Sequence, residues 1–181
     1  MSMRKFWQIL CVCLCALVIP ACGSDEDDPL PVDEEWRQLN DEAFQKQTQV
    51  EGYERLESQS NAGYILYKVL ETGDSDEPIY FTSQVECYYK GTFVDGMVFT
   101  DMSFEHGAPA TINVNEMIDG FATALQYMHP GDRWEIWIPQ ALGYGSAGSA
   151  SRQQSDGTYS TEIKPYTTLI YELEVTRVIE P

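Results

Sequence analysis

Residues 143–148 read GYGSAG and fit G-x-G-x-x-G, the pattern in which glycines let a backbone approach a dinucleotide pyrophosphate. The same glycines suit a tight turn that presents Tyr144, because glycine takes positive φ without steric cost. Other chemistry-bearing groups are sparse, and His106 and His129 each stand alone as loop or surface residues. The chain is instead rich in aromatics, among them Tyr89, Phe99, Phe121, Tyr144 and Tyr171. Each of these taken singly reads as ordinary core.

The elements around these residues decide between the two uses of the glycines. Residues 33–50 place Trp36, Leu39 or Asn40, Ala43 and Val50 near one helical face, with acids in the first turn. This predicts a short amphipathic helix in a segment 33–62, with a stripe too thin for a dimerising coiled coil. It packs on the main domain or spaces it. From Gly63 the period changes to two. Strands are predicted over 63–71 and over 84–91, where Val85, Cys87 and Tyr89 share a face. Further strands flank an Asp95-Gly96 turn and cover ATINV, 133–139 and 168–178. One helical pattern interrupts them, with Ile118, Phe121, Ala122, Leu125 and Met128 at helical spacing. The expectation is an α+β domain over 63–181, an antiparallel sheet wrapped on one short helix and preceded by the N-terminal helix.

In that setting the glycine pattern fails as a nucleotide site. A dinucleotide fingerprint opens a helix inside a βαβ unit, whereas these glycines precede SASRQQSDGTYST, which is polar and has no helical period. No Gly-Lys-Ser/Thr follows for a phosphate loop either. A turn presenting Tyr144 remains.

The ordered motifs GMVFTDMS, PATINVNEMIDGFATALQYMHPGDRWEIWIPQALGYG and KPYTTLIYELEV resemble an FKBP-type peptidyl-prolyl isomerase, in its bacterial, macrophage-infectivity-potentiator branch. The resemblance covers roughly 63–180 and implies a curved antiparallel sheet around a short helix. It also implies a pocket for a proline amide. Tyr89, Phe99 and Tyr171 match aromatic wall positions, and Phe121 matches a floor where the family more often has tryptophan. Met117 and Ile118 match the pair before the family's helix, where the Ile118 N–H would hold a substrate carbonyl. Tyr144 matches the tyrosine whose hydroxyl reaches the ligand, and Ile163 matches the apolar residue before the last strand. Two departures stand out. Thr100 occupies the family's usual aspartate position, so that the pocket carboxylate is missing unless Asp101 replaces it. The loop between Gly145 and Ile163 is also long, and it is expected to overhang the pocket and govern which peptides enter.

The chemistry so implied is rotation about one bond, which needs no metal, cofactor, nucleophile or general acid. Its expected partners are proline-containing unfolded or exported polypeptides, with macrolide-type inhibitors as possible ligands. A non-catalytic holdase using the same cleft is the alternative, favoured by Thr100; a purely structural lipoprotein would leave the pocket residues unexplained.

The N-terminal end bears on location. Arg4 and Lys5 precede the apolar run ILCVCLCALVI, which is shorter than the roughly 20 residues of a membrane-spanning helix. This reads as a signal peptide over 1–21, and IPAC resembles a bacterial lipobox with lipidation at Cys22. An ordinary cleaved signal with a spare cysteine is the other reading. Cleavage before Cys22 leaves only Cys22 and Cys87, which excludes a cysteine-based zinc site and, with Cys22 acylated, any internal disulfide. The acidic tract over 22–32 is expected to be a solvated tether, either a surface-export signal or a spacer. Loss of Arg4 and Lys5 with the signal takes the formal charge from −18 to −20. Nucleic acid and anionic lipid surfaces are therefore poor partners, and the expected hold on the outer membrane, on its periplasmic face or at the cell surface, is acyl chains.

Overall fold

The computed structural model describes residues 32–153 and 160–180. The expected signal peptide, Cys22, the expected tether as far as residue 31 and the middle of the long loop lie outside the described residues.

Helix α1 (Glu34–Gln47) comes first, followed by strands β1 (Glu54–Glu57), β2 (Tyr64–Glu71), β3 (Gln84–Thr92), β4 (Val98–Met102) and β5 (Ala110–Asn113). Helix α2 (Asp119–Leu125), β6 (Arg133–Ile138) and β7 (Leu169–Glu180) complete the order. Among the described residues the strands form one antiparallel sheet in the order β1-β2-β6-β7-β3-β4, with β5 also on β3. β4 takes residues 89–92 of β3 and β5 takes residues 84–87, so the two share one edge. Register shifts interrupt β2/β6, β3/β4 and β3/β7. Each such bulge bends its strand and adds twist, which curves the sheet around α2.

Period two works as the alternation requires. In β6 Trp134, Ile136 and Ile138 are buried, while Arg133, Glu135 and Trp137 keep partial exposure on the other face. In α2 every residue from Gly120 to Leu125 is buried. A seven-residue helix has too few hydrogen bonds to stand alone, so packing against the sheet stabilises it. A Cβ on Gly120 would lie 2.4 Å from Ile138 Cγ2 and 3.1 Å from Ile65 Cγ2, so a side chain there would hold the helix off the sheet.

Two details differ from the sequence reading. β1 lies within the segment read as helical; its sequence ERLE has one apolar residue, and an exposed edge strand leaves almost no period-two signal. The buried face of α1 is Asn40 and Phe44 beside half-buried Trp36, while Leu39 (48% exposed) and Val50 (46%) face solvent. Polar Asn40 can be buried because its amide is satisfied: Nδ2 donates to the Trp36 carbonyl at 2.8 Å, and Oδ1 accepts from the Thr168 N–H at 2.8 Å.

Candidate active site

β3 carries Tyr89 toward α2, in step with buried Val85 and Cys87. The Asp95-Gly96 hairpin then returns the chain as β4, with the Gly96 N–H donating to the Phe93 carbonyl at 2.9 Å and Gly96 at φ +85°. The register slips so that Gly91 faces Thr100 and Thr92 faces Val98. A bulge of this kind turns two neighbouring residues toward one face. Both reach the space over Gly91, where a Cβ would lie 2.5 Å from the Phe99 ring and 2.7 Å from Thr100 Cγ2.

The rings then meet edge to face. Phe121 lies 5.0 Å from Tyr171 at 82° and 5.7 Å from Tyr89 at 81°. Phe99 lies 5.4 Å from Tyr171 at 83°, and Tyr89 and Tyr171 are 6.3 Å apart. Edge-to-face contact puts a positive ring edge against a negative ring face, so each ring fixes its neighbours. Phe121 and Tyr171 are buried as the floor, while Tyr89, Phe99, Met117 and Ile118 are half-buried around them.

Tyr144 follows a short 3-10 turn, Gln140–Leu142, and stands 36% exposed on the rim. Gly145 and Gly148 do have positive φ, +59° and +64°, and the turn is closed by Gly145 N–H to Gln140 carbonyl at 2.9 Å. Ile163 is buried and joined to Ser149 by two backbone hydrogen bonds of 2.7 and 2.8 Å. Among the described residues the Ile118 N–H has no acceptor, since the helix bonds that start at Ile118 use its carbonyl. Ile118 itself is half-buried and packs against the core that includes Phe121 and Tyr171.

Asp101 is not part of this set. It follows the bulge and turns to the other side of the sheet, 3.8 Å from Lys90 and 3.3 Å from His106, with its carboxylate accepting from the Ser103 N–H. The hydrogen bonds from Ser103 chiefly, with His106 and Lys90 adding to them, hold its pKa below the usual value against the opposing effect of burial. Thr100 keeps the site side, where its side chain lies toward the Tyr89 phenol. A groove of about 330 Å³ also lies on that other side, but Lys90, Arg133, Glu172 and Glu174 line it, and it shares only Tyr89 with the rings. Its lining mixes the Tyr88 and Phe104 rings with those charges.

Phe93 escaped the sequence reading, and so did the link of Trp36 to the rings. Phe93 is stacked on Phe99 at 4.8 Å, and Trp36 meets Phe93 edge-on at 6.1 Å. The spacing of Phe93 and Phe99 about the Asp95-Gly96 turn was the available signal.

Burial raises the pKa of Tyr171, with smaller contributions from the nearby Tyr144 and Tyr89 hydroxyls. Burial likewise raises Tyr89, where Cys87 and Tyr144 add to it, and raises Tyr144. A raised pKa means the phenols keep their protons above the ordinary value of about 10. Activity is therefore expected to be flat from about pH 6 to 9, within about twofold in kcat/KM, because no residue in the set titrates there. A step or bell with a midpoint inside that window would show an ionising group in the mechanism.

The sheet curved around α2, with the ring cluster between them, is an FKBP-like fold. The sequence profile of the family described as FKBP-type peptidyl-prolyl cis-trans isomerase matches residues 77–176, more than half of the chain, and the chain belongs to that family. It is 34% identical over 115 residues to the FKBP-type 22 kDa peptidyl-prolyl cis-trans isomerase of Escherichia coli strain K12, covering 64% of this chain and 50% of that protein. It is 33% identical over 114 residues to the outer membrane protein MIP of Legionella longbeachae, covering 63% of this chain and 44% of that protein. The chain thus spans about half the length of these curated relatives. A crystal structure of a peptidyl-prolyl cis-trans isomerase from Pseudomonas syringae pv. tomato superposes with a TM-score of 0.63 at 25% identity, covering 82% of this chain and 96% of that one.

Proposed function

We propose that this chain is a peptidyl-prolyl cis-trans isomerase acting on proline-containing unfolded or exported polypeptides in the bacterial envelope. The observation that carries this is the set of interlocked rings, to which the Ile118 N–H, without an acceptor among the described residues, adds a donor.

The X-Pro amide resists rotation by about 18–20 kcal/mol because its C–N bond is partly double. Unassisted exchange takes about 10–100 s, long enough to delay folding. Water strengthens the planar form by hydrogen bonding to its polar carbonyl. A proline ring seated on Phe121 and Tyr171, between Tyr89 and Phe99, would exclude that water and favour the twisted amide, whose carbonyl is less polar. The Ile118 N–H would hold a neighbouring substrate carbonyl, and the protonated Tyr144 hydroxyl would donate a second hydrogen bond from the rim. Each 1.36 kcal/mol by which the twisted form is favoured over the planar one gives about tenfold in rate. No covalent bond breaks, and no proton moves. The test is refolding of a protein whose slow phase is proline-limited: the purified chain should accelerate that phase in proportion to its concentration. An unchanged phase with suppressed aggregation would instead select the holdase.

The apolar run before IPAC, the acidic tract behind it and the printed name of the Legionella relative support a lipoprotein of the outer membrane, anchored through Cys22. In this reading residues 1–21 are the signal and 22–32 the tether, ahead of the isomerase domain. Labelled palmitate should enter the wild-type chain in cells and not Cys22→Ala. Equal labelling would remove the anchor.

A further inference from the structure

We propose that α1 is a working part of the isomerase site, with Trp36 as a positioning residue that acts on both the rim and the wall. This rests on the isomerase reading above.

The rim limb runs through residues 163–168, which connect Ile163 to β7. Trp36 Nε1–H donates to Thr167 Oγ1 at 2.9 Å, and that hydroxyl donates to the Lys164 carbonyl at 2.7 Å. Lys164 Nζ lies 4.9 Å over the Trp36 ring and 3.2 Å from the Asp33 carboxylate, the residue that caps α1. One residue on, the Arg37 guanidinium covers the Tyr166 ring at 4.7 Å. One turn on, Asn40 accepts the Thr168 N–H, and its carbonyl accepts the Thr168 hydroxyl at 3.3 Å. Successive turns of one helix thus grip consecutive residues of one segment more than 120 positions away in sequence. That segment needs an external hold. Tyr166 is left-handed at φ +61°, a costly state for a bulky side chain, and its N–H donates to the Gly145 carbonyl in the turn that carries Tyr144.

The wall limb is a chain of rings. Trp36 meets Phe93 edge-on at 6.1 Å, Phe93 stacks on Phe99 at 4.8 Å, and Phe99 meets Tyr171 at 5.4 Å. Trp36 therefore supports Phe99 from behind while its ring nitrogen holds the rim in front. A helix that merely covered apolar surface would turn Leu39 inward. Here Leu39 is exposed, and of the three inward residues Trp36 and Asn40 bond the rim segment while Phe44 packs on Tyr64.

The experiment uses the full chain in detergent and compares Trp36→Ala, Trp36→Phe, Arg37→Ala and the control Gln38→Ala, which lies on the exposed side of α1. The readouts are kcat and KM on a proline peptide, amide exchange by mass spectrometry, and thermal melting. Trp36→Ala should raise KM about tenfold with a smaller change in kcat, since it loosens the binding surface. Below the melt it should speed exchange over 160–168 about tenfold while β3 and β7 keep their protection. Trp36→Phe, which keeps a ring for Phe93 and loses the donor to Thr167, should fall between. Arg37→Ala should speed the same amides without touching Phe93, and it carries the test if Trp36→Ala does not fold. Gln38→Ala should match the wild type. A lower melting temperature with unchanged KM and unchanged rim exchange overturns the proposal. A wild type without activity would end the isomerase reading separately, and peptide affinity with rim exchange would then decide on the clamp.

Discussion

Phe99→Ala is expected to lower kcat/KM on a proline peptide by on the order of a hundredfold, about 2.7 kcal/mol of lost preference for the twisted amide. The ring meets Tyr171 and Phe93, so in the proposed mechanism its removal would open the proline amide to water. The fold should survive, because Phe99 is half-buried on β4, a strand at the end of the sheet order. Gly91→Ala approaches the same ring from the other side. Its Cβ would enter within 2.5 Å of the Phe99 ring and 2.7 Å of Thr100, which forces the wall inward or outward. Overpacking of this kind costs about 1–3 kcal/mol of stability, and activity should drop with Phe99 itself intact. Steady-state rates per folded molecule, checked by circular dichroism, measure both. A Phe99→Ala variant at wild-type rate would remove the ring from the mechanism.

Phe121→Ala is expected to act on stability as well as activity. The ring is fully buried in the middle of α2 and touches the faces of Tyr89 and Tyr171. Emptying such a site costs about 3–5 kcal/mol in transfer and cavity terms. Against a total stability of about 5–15 kcal/mol, that is a large share. Urea titration should show a lower midpoint at unchanged slope, the signature of lost stability without a change in the surface exposed. A loss below about 1 kcal/mol would mean that the neighbouring rings close over the gap.

How far the sequence disclosed this site depended on which physical signal each residue left. Strands buried on one face, such as β3 and β6, write their alternation directly, and α2 writes a period of 3.6. β1 does not, because an edge strand with exposed Glu54, Arg55 and Glu57 has no buried face to pattern. Tyr89, Phe99, Phe121 and Tyr171 could be placed on their elements from the residues, and their meeting became readable only from the order of the motifs. Asp101, offered as the substitute for the missing carboxylate, does not take that place: the slip opposite Gly91 keeps Thr100 on the site side and sends Asp101 to Lys90 and His106, which motif spacing does not disclose. On the inward face of α1 the sequence left Leu39 or Asn40 open, because the burial of polar Asn40 is explained only by the Thr168 N–H, far along the chain. Contacts between residues that distant leave no local period, so the grip of α1 on 163–168 was legible in the structure alone.

The account as a whole depends on apolar, ring-lined desolvation of a proline amide. Exchange spectroscopy on a short X-Pro peptide tests it most directly, with the chain present in small molar fraction. The predicted result is cis/trans exchange far faster than the spontaneous time of about 10–100 s for the wild type, partly kept in Tyr144→Phe and lost in Phe99→Ala. Spontaneous-rate exchange with the folded wild-type chain, or full catalysis by Phe99→Ala, would contradict it.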